Sequence, residues 1–177
     1  MIYIKTRIST TEQKKRAFTP GKRIRMLTNK GKYGLKAMIF LAGLPEGSMA
    51  QVADIAARNT IPKKFLDTIL LDLRNSGVLR SKKGPGGGYS LARMPNEISV
   101  GAIIRTLDGP LAPIGCASRT AFQPCEDCAD LDTCAVRLIM TDVRDATSRV
   151  LDATTLADLL TRGVKGDNPE SWMVLEA

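Results

Sequence analysis

The chain contains no histidine among its 177 residues. A Ser-His-Asp or Cys-His catalytic set therefore does not exist in it, and an enzyme is not expected. The same absence excludes an imidazole ligand at any metal site. Chemistry at a metal or redox site has to come from other side chains, and the four cysteines are the candidates.

The sequence also lacks a membrane-spanning run and a secretory signal. Its longest apolar stretch, residues 35–44, is interrupted by Lys36 and is too short to cross a bilayer. The N-terminus has no apolar core followed by a small-residue cleavage site. These features predict a cytoplasmic protein with no membrane partner, whose thiols start reduced.

Charge is distributed unevenly along the chain. Residues 1–25 carry eight Lys or Arg against one Glu, residues 26–105 carry twelve against five acidic residues, and residues 106–177 carry six against twelve. The basic part predicts a polyanionic partner. Residues 1–25 show no sustained periodicity and predict a flexible basic extension. A native start at Met26 is the alternative.

Apolar residues recur at helical spacing in three segments that start near Lys30, Ser48 and Pro62. The third segment carries a stripe expected to face the core, made of Phe65, Leu66, Ile69, Leu70 and Leu73. Two short predicted strands then surround a glycine-rich turn, and Ser99 is expected to cap a fourth helix. This order is typical of a winged helix-turn-helix domain, which we place at residues 26–107: a mostly α fold with a small β wing.

The third helix has to bury one face on the first two and present the other to the major groove. Its outward residues are Lys63, Lys64, Asp67, Thr68 and Arg74, which suit DNA contact but also suit an ordinary solvated face. Asp67 can alternatively pair with Lys63 or Lys64 on the same helix.

The predicted wing favours DNA over the solvated-face alternative. In it, Lys82 and Lys83 can reach phosphates, and Gly86 and Gly87 let the backbone approach the duplex before Tyr89. A glycine-rich turn can also hold a nucleotide phosphate. However, neither a P-loop motif nor the strand-loop-helix setting of a dinucleotide site is present.

The second half of the sequence predicts a long loop followed by a long helix. Periodicity is absent over residues 108–134, which contain all four cysteines. It returns in a single apolar stripe that calls for a partner helix and predicts a dimer interface of Val136, Ile139, Met140, Val143 and Val150. Thr154 or Thr155 is expected to cap a short final helix, so residues 135–162 form the dimerisation helix and a short C-terminal helix, and residues 163–177 form a mobile tail.

Four segments resemble the Rrf-type winged-helix transcription regulators, the family of IscR, NsrR, RirA and CymR. They are residues 61–66 (IPKKFL), 73–77 (LRNSG), 81–92 (SKKGPGGGYSLA) and 155–159 (TLADL), and the resemblance covers roughly residues 26–160. It implies a homodimer joined through the long helix that binds a palindromic DNA operator, with the cysteine loop beside that helix. It also implies base contacts from Pro62, Lys63, Lys64, Asp67 and Thr68.

The cysteines follow the pattern Cys116-x8-Cys125-x2-Cys128-x5-Cys134. Cluster-binding relatives offer three cysteines, the last two separated by five residues, and a fourth ligand of another type. This chain has no histidine, and Lys32 stands where some relatives place an acidic ligand. We therefore interpret Cys125 as the fourth ligand.

Four thiolates suit a 2Fe-2S or 4Fe-4S cluster, and the resemblance favours a regulator that senses iron, redox or nitrosative state. Tetrahedral zinc is an alternative, although only Cys125 and Cys128 form a C-x-x-C pair. A thiol switch, a CymR-like regulator under the control of a protein partner, and cysteines without a function also stay open.

Overall fold

Residues 27–128 and 130–164 are described by the computed structural model of the protein. The basic extension predicted for residues 1–25 and most of the predicted tail lie outside these ranges. Within them the chain forms six α-helices, one two-stranded sheet and two short 3-10 turns, Pro95–Glu97 and Gly115–Ala117. The helices and strands, in chain order, are α1 Asn29–Ala42, α2 Val52–Asn59, α3 Lys63–Asn75, β1 Leu79–Lys82, β2 Gly88–Leu91, α4 Val100–Asp108, α5 Ala135–Ala153 and α6 Leu156–Val164. The predicted mostly α fold with a small β wing is confirmed.

The start of α1 is fixed by a contact with the end of α4. The Thr28 hydroxyl accepts the backbone N–H groups of Lys30 and Gly31, and the Thr28 N–H donates to the Asp108 carboxylate over 2.8 Å. Gly34 faces Leu107 so closely that a Cβ would lie 2.0 Å from a Leu107 methyl carbon. The backbone of α1 at Gly34 therefore packs directly against the Leu107 side chain of α4, and a larger residue at position 34 would prevent this contact.

Helix α3 closes the core of the domain with four fully buried residues, Leu66, Ile69, Leu70 and Leu73. The prediction that Phe65 belongs to the same buried stripe is wrong. Its side chain is 39% exposed and packs edge-on against Tyr33, with ring centroids 5.8 Å apart. Phe65 lies about 90° around the helix from the centre of the stripe, so it reaches the rim of the core and not its interior.

The turn between α2 and α3 sets the direction of α3. Thr60 ends α2 in the left-handed conformation with φ 54°, and the next N–H, of Ile61, donates back to the Ala56 carbonyl over 3.0 Å. Ile61 is buried, while Lys36 of α1 donates to the Asn59 carbonyl over 2.7 Å. Hydrogen bonds to α1 and to α2 thus fix the turn, and with it the direction in which α3 leaves the turn.

Helix α5 differs from the others because none of its residues is buried. After it the chain returns to the core: Leu156 is fully buried, and the backbone groups of Val100 and Leu156 bond to Thr154 and Ile98 respectively. Thr155 caps α6, since its hydroxyl accepts the Asp158 N–H. No helix in residues 27–128 and 130–164 is long and apolar enough to cross a membrane.

A double hydrogen bond joins α4 to α5 and makes stability depend on pH. The Arg105 guanidinium donates to both Asp152 carboxylate oxygens, over 2.6 and 2.8 Å, and this lowers the pKa of Asp152. A lowered folded-state pKa stabilises the protein above the unfolded value of about 4, and the effect is lost as the pH falls through the folded-state pKa. Because both groups are partly exposed, we expect D152N to lower the free energy of unfolding by only about 0.5–1 kcal/mol at pH 7.

Urea denaturation at pH 7 and at pH 3 would measure this effect. The difference between D152N and the parent protein should shrink at the lower pH, because Asp152 of the unfolded state then binds a proton that the folded state, with its lowered pKa, binds less readily. A difference that stays constant with pH would show that the amide disturbs packing and not charge.

Candidate DNA interface and cysteine site

The first two turns of α3 present the side chains that the sequence predicts to contact bases. All five are exposed, because the buried stripe of α3 faces the other way: Pro62, Lys63, Lys64, Asp67 and Thr68. Within the described ranges, Asp67 forms no salt bridge with Lys63 or Lys64, whereas Asp72 of the same helix pairs with Lys30 over 2.6 Å. Asp67 is thus available to a ligand on this face.

The wing carries its cations at the end of the β-hairpin. Strands β1 and β2 pair antiparallel, from Leu79 opposite Leu91 to Lys82 opposite Gly88, and Lys82 and Lys83 are exposed where the hairpin turns. Gly86 is also exposed, with φ 70°. These three residues are exposed at the hairpin turn, where a DNA-contacting wing requires its phosphate contacts.

Two other residues predicted to contact DNA have a structural role in the wing. Gly87 is buried, and a Cβ there would lie 2.3 Å from the Lys82 carbonyl oxygen. Tyr89 is partly buried and exchanges both backbone hydrogen bonds with Ala50, over 2.8 and 3.0 Å. They shape the hairpin and dock it on the domain, and their contact with DNA stays a prediction.

The predicted dimer residues form an apolar stripe on the outer face of α5. Val136 is 61% exposed, Ile139 53%, Val143 40% and Val150 65%, and Met140 is partly buried between them. Their spacing of three, four and seven residues places them on one side of the helix. The stripe is an unusual amount of exposed apolar surface for one helix.

The first pair of cysteines is Cys116 and Cys125, whose sulfurs lie 3.6 Å apart. Cys116 is buried in the 3-10 turn after α4. The Gln123 N–H donates to the Gly115 carbonyl over 3.2 Å, and a Cβ on Gly115 would lie 2.9 Å from Gln123. Glycine at position 115 therefore lets the two segments meet, which brings Cys125 against Cys116.

The second pair is Cys128 and Cys134, also 3.6 Å apart. Asp130 closes the turn between them by accepting the Asp132 N–H over 2.9 Å and the Thr133 hydroxyl over 2.7 Å. Cys134 immediately precedes α5. One carboxylate of the acidic loop thus serves as a turn former.

Two arginines of α5 fasten the cysteine loop to that helix. Arg137 donates to the carbonyls of Cys116 and Leu131 over 3.1 and 3.0 Å, so it touches the segments of both cysteine pairs. Arg144 donates to the Ala117 carbonyl and pairs with Asp145. The loop and α5 are therefore joined by hydrogen bonds at two positions of the helix, about two turns apart.

The thiols influence one another's ionisation. The pKa of Cys128 is raised to about 11, mainly by its hydrogen bond with Cys134 and by burial. Burial also raises the pKa of Cys116, and the Cys125 thiol adds to this effect. The pKa of Cys134 is lowered, because the backbone N–H groups of Arg137 and Val136 face its sulfur without closing a regular capping bond. The pKa shifts thus favour the thiolate at Cys134 and disfavour it at Cys116 and Cys128.

Reasoning from the sequence did not identify Arg137 and Arg144 as residues that bond the cysteine loop to α5. Their partners lie 21 and 27 residues earlier in the chain, in a segment without periodicity. No local pattern identifies such contacts, because they exist only once α5 lies beside the loop.

Comparison with known proteins identifies the family to which the chain belongs. The chain matches the model of the family Rrf2, described as "Iron-dependent Transcriptional regulator", over residues 27–162. It is 43% identical over 141 residues to a helix-turn-helix regulator named rrf2-like from Rhodobacter capsulatus, covering 78% of this chain and 94% of that protein.

Two solved structures have the same fold. CymR, titled the global cysteine regulator of Bacillus subtilis, is 35% identical with a TM-score of 0.63, and the match covers 77% of this chain and 96% of CymR. IscR of T. potens is 29% identical with a TM-score of 0.64, and the match covers 83% and 94% of the two chains. These matches indicate a DNA-binding transcription regulator and not an enzyme: the chain belongs to the Rrf2 family.

Proposed function

We propose that the protein is a cytoplasmic, homodimeric regulator that binds a palindromic operator and changes its affinity for DNA with the state of an iron-sulfur cluster held by Cys116, Cys125, Cys128 and Cys134. The observation that carries this proposal is the attachment of a four-cysteine loop to the helix with the exposed apolar stripe. A sensor needs such a physical connection between its site and the surface that positions two DNA-binding domains.

DNA binding rests on the exposed face of α3 and on the wing. In this proposal the first turns of α3 enter the major groove, where Lys64 and Thr68 are close enough to contact bases. Lys82 and Lys83 at the hairpin turn contact phosphates, which fix the position of the protein without selecting sequence. The chain is basic overall, with a net charge of +8, as this partner requires.

K83A tests the division between phosphate and base contacts. We expect it to weaken binding to all sequences alike and to reduce the slope of log K against log salt by about 0.9, the value for one lost phosphate contact. Electrophoretic titrations at several salt concentrations, on the operator and on a scrambled duplex, measure both effects. R149A, which removes a cation from exposed α5, should leave the slope unchanged. A changed sequence preference in K83A would contradict the assignment.

Dimerisation through α5 follows from its stripe and from the symmetry of the target. Two copies of Val136, Ile139, Val143 and Val150 would bury the apolar surface that one chain leaves exposed. A two-fold axis across α5 would also relate two α3 helices, as binding to a palindrome demands.

The residues present fit a cluster. Four sulfur donors lie in one loop, two of them in each close pair, and the cationic Arg137 of α5 bonds the segments of both pairs. A cluster would supply a redox-sensitive link among the four thiolates and would offset the repulsion between them. The family description "iron-dependent" agrees with this chemistry.

Arg137 and Arg144 explain how the state of the loop can reach DNA. Each holds a backbone carbonyl of the loop, so a loop arrangement that moves Cys116 or Ala117 also moves the start of α5. Arg105 and Asp152 connect the far end of α5 to α4 of the DNA-binding domain. The ligand state changes affinity only by favouring one arrangement of these elements over another.

Anaerobic purification of the full chain tests the proposal as a whole. We expect iron and acid-labile sulfide in the protein, and at least a tenfold difference in operator affinity between this form and the form stripped by a chelator. The operator is selected beforehand from random duplexes with the same protein. An iron-free protein, or equal affinities with and without iron, would contradict the sensor function.

A regulator controlled by a protein partner is the second candidate, because the fold and sequence also match CymR. That function does not require four clustered thiols. It would be favoured if all four Cys→Ala variants kept full control of the operator.

A further inference from the structure

We infer that residues 165–177 of the chain, here called the C-terminal segment, dock in a groove at the base of the wing, where their carboxylates compete with DNA phosphates for Lys82. This inference goes beyond the proposed function, since it needs neither the cysteine loop nor the dimer. It replaces the mobile tail expected from the sequence by a segment with a binding site. The family model ends at residue 162 and therefore assigns no role to these residues.

The groove lies between the end of α1 and the wing. One side is formed by residues 44–49, which follow α1, and the other by the β-hairpin and residues 92–95. Its volume is about 860 Å³, within the range of about 300–1,000 Å³ that is typical of pockets enclosing a ligand. The groove is therefore large enough for several side chains of a peptide segment.

Much of the lining is apolar and open to a partner. Leu44, Met49 and Leu91 are half-buried, whereas Met94 is 61% exposed. Covering these side chains is favourable, because it removes apolar surface from water. A segment that docks here should therefore bring apolar side chains of its own.

The wing side of the groove is positively charged. Arg80 and Lys82 are alternate residues of β1, so they lie on the same face of the hairpin, and Arg93 follows β2. The Arg80 Nε donates to the Leu91 carbonyl over 3.1 Å, which holds this guanidinium against the hairpin. Among the described residues, none of the three cations forms a salt bridge. They are available to carboxylates.

Two carboxylates, Glu46 and Glu97, line the groove as well. The Glu97 carboxylate already accepts a backbone N–H over 3.2 Å, whereas the three cations belong to the hairpin and its end. A docked segment should therefore place its own acidic residues toward the wing and its apolar residues between the two sides of the groove.

The C-terminal segment has this composition. It contains the apolar run 172–175, of sequence WMVL, and carries three acidic residues against Lys165. The acidic residues stand on both sides of the run: Asp167, Glu170 and Glu176. Ion pairs between exposed groups contribute little on their own, so the apolar run has to supply much of the affinity and the charges orient it.

Helix α6 brings the segment to the groove. It packs against the 3-10 turn Pro95–Glu97, and Leu160 lies against Gly43, where a Cβ would be 3.6 Å from a Leu160 methyl carbon. The helix ends at Val164, about 6 Å beyond Leu160. Eight further residues reach Trp172 and span up to about 26 Å. A link this short gives an effective concentration on the order of millimolar, so even weak docking is populated.

Docking affects the surface proposed to contact DNA. Lys82 lines the groove and is also assigned above to a phosphate contact. A carboxylate beside Lys82 offsets the charge that the wing offers to DNA, and phosphate contacts supply most of the affinity for unspecific sequences. The docked segment therefore weakens DNA binding, and its release strengthens it.

The first experiment uses Trp172, the single tryptophan of the chain. In the full chain we expect its emission to be shifted to shorter wavelength than that of N-acetyltryptophanamide, and to be quenched less by acrylamide. M94D places a charge in the groove and should return both readings to those of the model compound. L138D changes a similarly exposed apolar residue on α5 and should keep the parent values. Emission of a solvated tryptophan in the parent protein would overturn the inference.

Charge reversal tests the cations. The double variant R80E/R93E should release Trp172, and the further changes D167K, E170K and E176K in the same chain should restore the parent emission. Restoration separates a lost attraction from damage to the fold, because the second set of changes adds nothing to the stability of the wing itself. Parent emission in R80E/R93E, or release that the reversed segment does not restore, would overturn the role of the cations.

Photo-crosslinking locates the docked segment. The amino acid p-benzoylphenylalanine at position 173 of the full chain should crosslink to residues 44–49 or 92–95. Mixing isotope-labelled and unlabelled protein shows whether one chain or two are joined, and we expect crosslinks within one chain. Crosslinks to another surface, or only between two chains, would overturn the inference.

The last experiment measures the effect on DNA. W172S/L175S weakens docking and should raise the affinity for a scrambled duplex by at least about threefold at low salt, because Lys82 becomes free for phosphate. S171A, which changes a neighbouring residue that is neither apolar nor acidic, should bind as the parent protein does. Equal affinities of W172S/L175S and the parent would overturn the competition. If no form binds DNA, the proposed function fails and the competition with it, while the emission of Trp172 still decides whether the segment docks.

Discussion

Replacing both Ile139 and Val143 by aspartate is expected to convert the protein into a monomer. Both side chains lie on the exposed stripe of α5, 53% and 40% accessible, where a second copy would cover them. Burying a branched apolar side chain contributes about 1.5–3 kcal/mol. Each side chain is already about half buried in one chain, so covering the rest contributes about half of this value. A two-fold interface contains each substituted residue twice, so the double variant loses at least about 3 kcal/mol of dimer stability, roughly two orders of magnitude in the dissociation constant.

The neighbouring residue provides a matched control. Leu138 is apolar, adjacent to Ile139 and 52% exposed, but it lies on another side of α5. We expect L138D to stay dimeric in sedimentation velocity at concentrations where the double variant sediments as a monomer. If both variants stay dimeric, the stripe is not the interface, and if both dissociate, the effect is not specific to it.

The same variants connect dimerisation to DNA binding. A monomer contacts one half-site, so operator affinity should fall by at least a hundredfold while the far-UV circular dichroism is kept. L138D should bind as the parent protein does. Unchanged operator binding by a proven monomer would refute the requirement for two-fold symmetry.

R144A is expected to uncouple DNA affinity from the state of the cysteine loop. The Arg144 side chain is 12% exposed and bonds the Ala117 carbonyl next to Cys116. It is not among the thiol ligands, so iron and sulfide content should be kept. The ratio between operator affinities with and without the cluster should fall from tenfold or more to near one, since coupling of this size corresponds to only about 1–3 kcal/mol.

R149A again serves as the control for R144A. It removes an exposed guanidinium from the same helix and leaves the bond to Ala117 intact. The parent ratio of affinities should therefore be kept in R149A. A full ratio in R144A would show that the loop communicates with DNA by another route.

The sequence predicted several elements of the first half of the fold because their signals are local. Ser99 caps α4 as expected, and the glycine-rich turn separates β1 from β2. Periodicity also identified the buried residues of α3, apart from Phe65. Each of these signals depends on residues a few positions apart, where spacing alone determines which side chains share a face.

The cysteine site was predictable in composition but not in arrangement. Counting thiols gave four candidate ligands, and the missing histidine pointed to Cys125. The grouping into pairs depends on Gly115 and Asp130, whose hydrogen bonds cannot be inferred from a loop without periodicity. Likewise, the burial of Leu156 depends on the chain returning to the core after α5, a helix without a fully buried residue.

That return anchors α5 at its C-terminal end, while Arg137 and Arg144 bond its N-terminal half to the cysteine loop. Its C-terminal end is held where Thr154 bonds to Val100 and Leu156 enters the core, whereas its N-terminal end begins at Cys134. A helix of 19 residues is about 28 Å long, so a displacement of about 2.5 Å at the cysteines corresponds to a tilt of only about 5° around Thr154. In the proposed two-fold dimer both α5 helices would tilt together, so a small change in loop geometry would change the spacing of the two winged-helix domains.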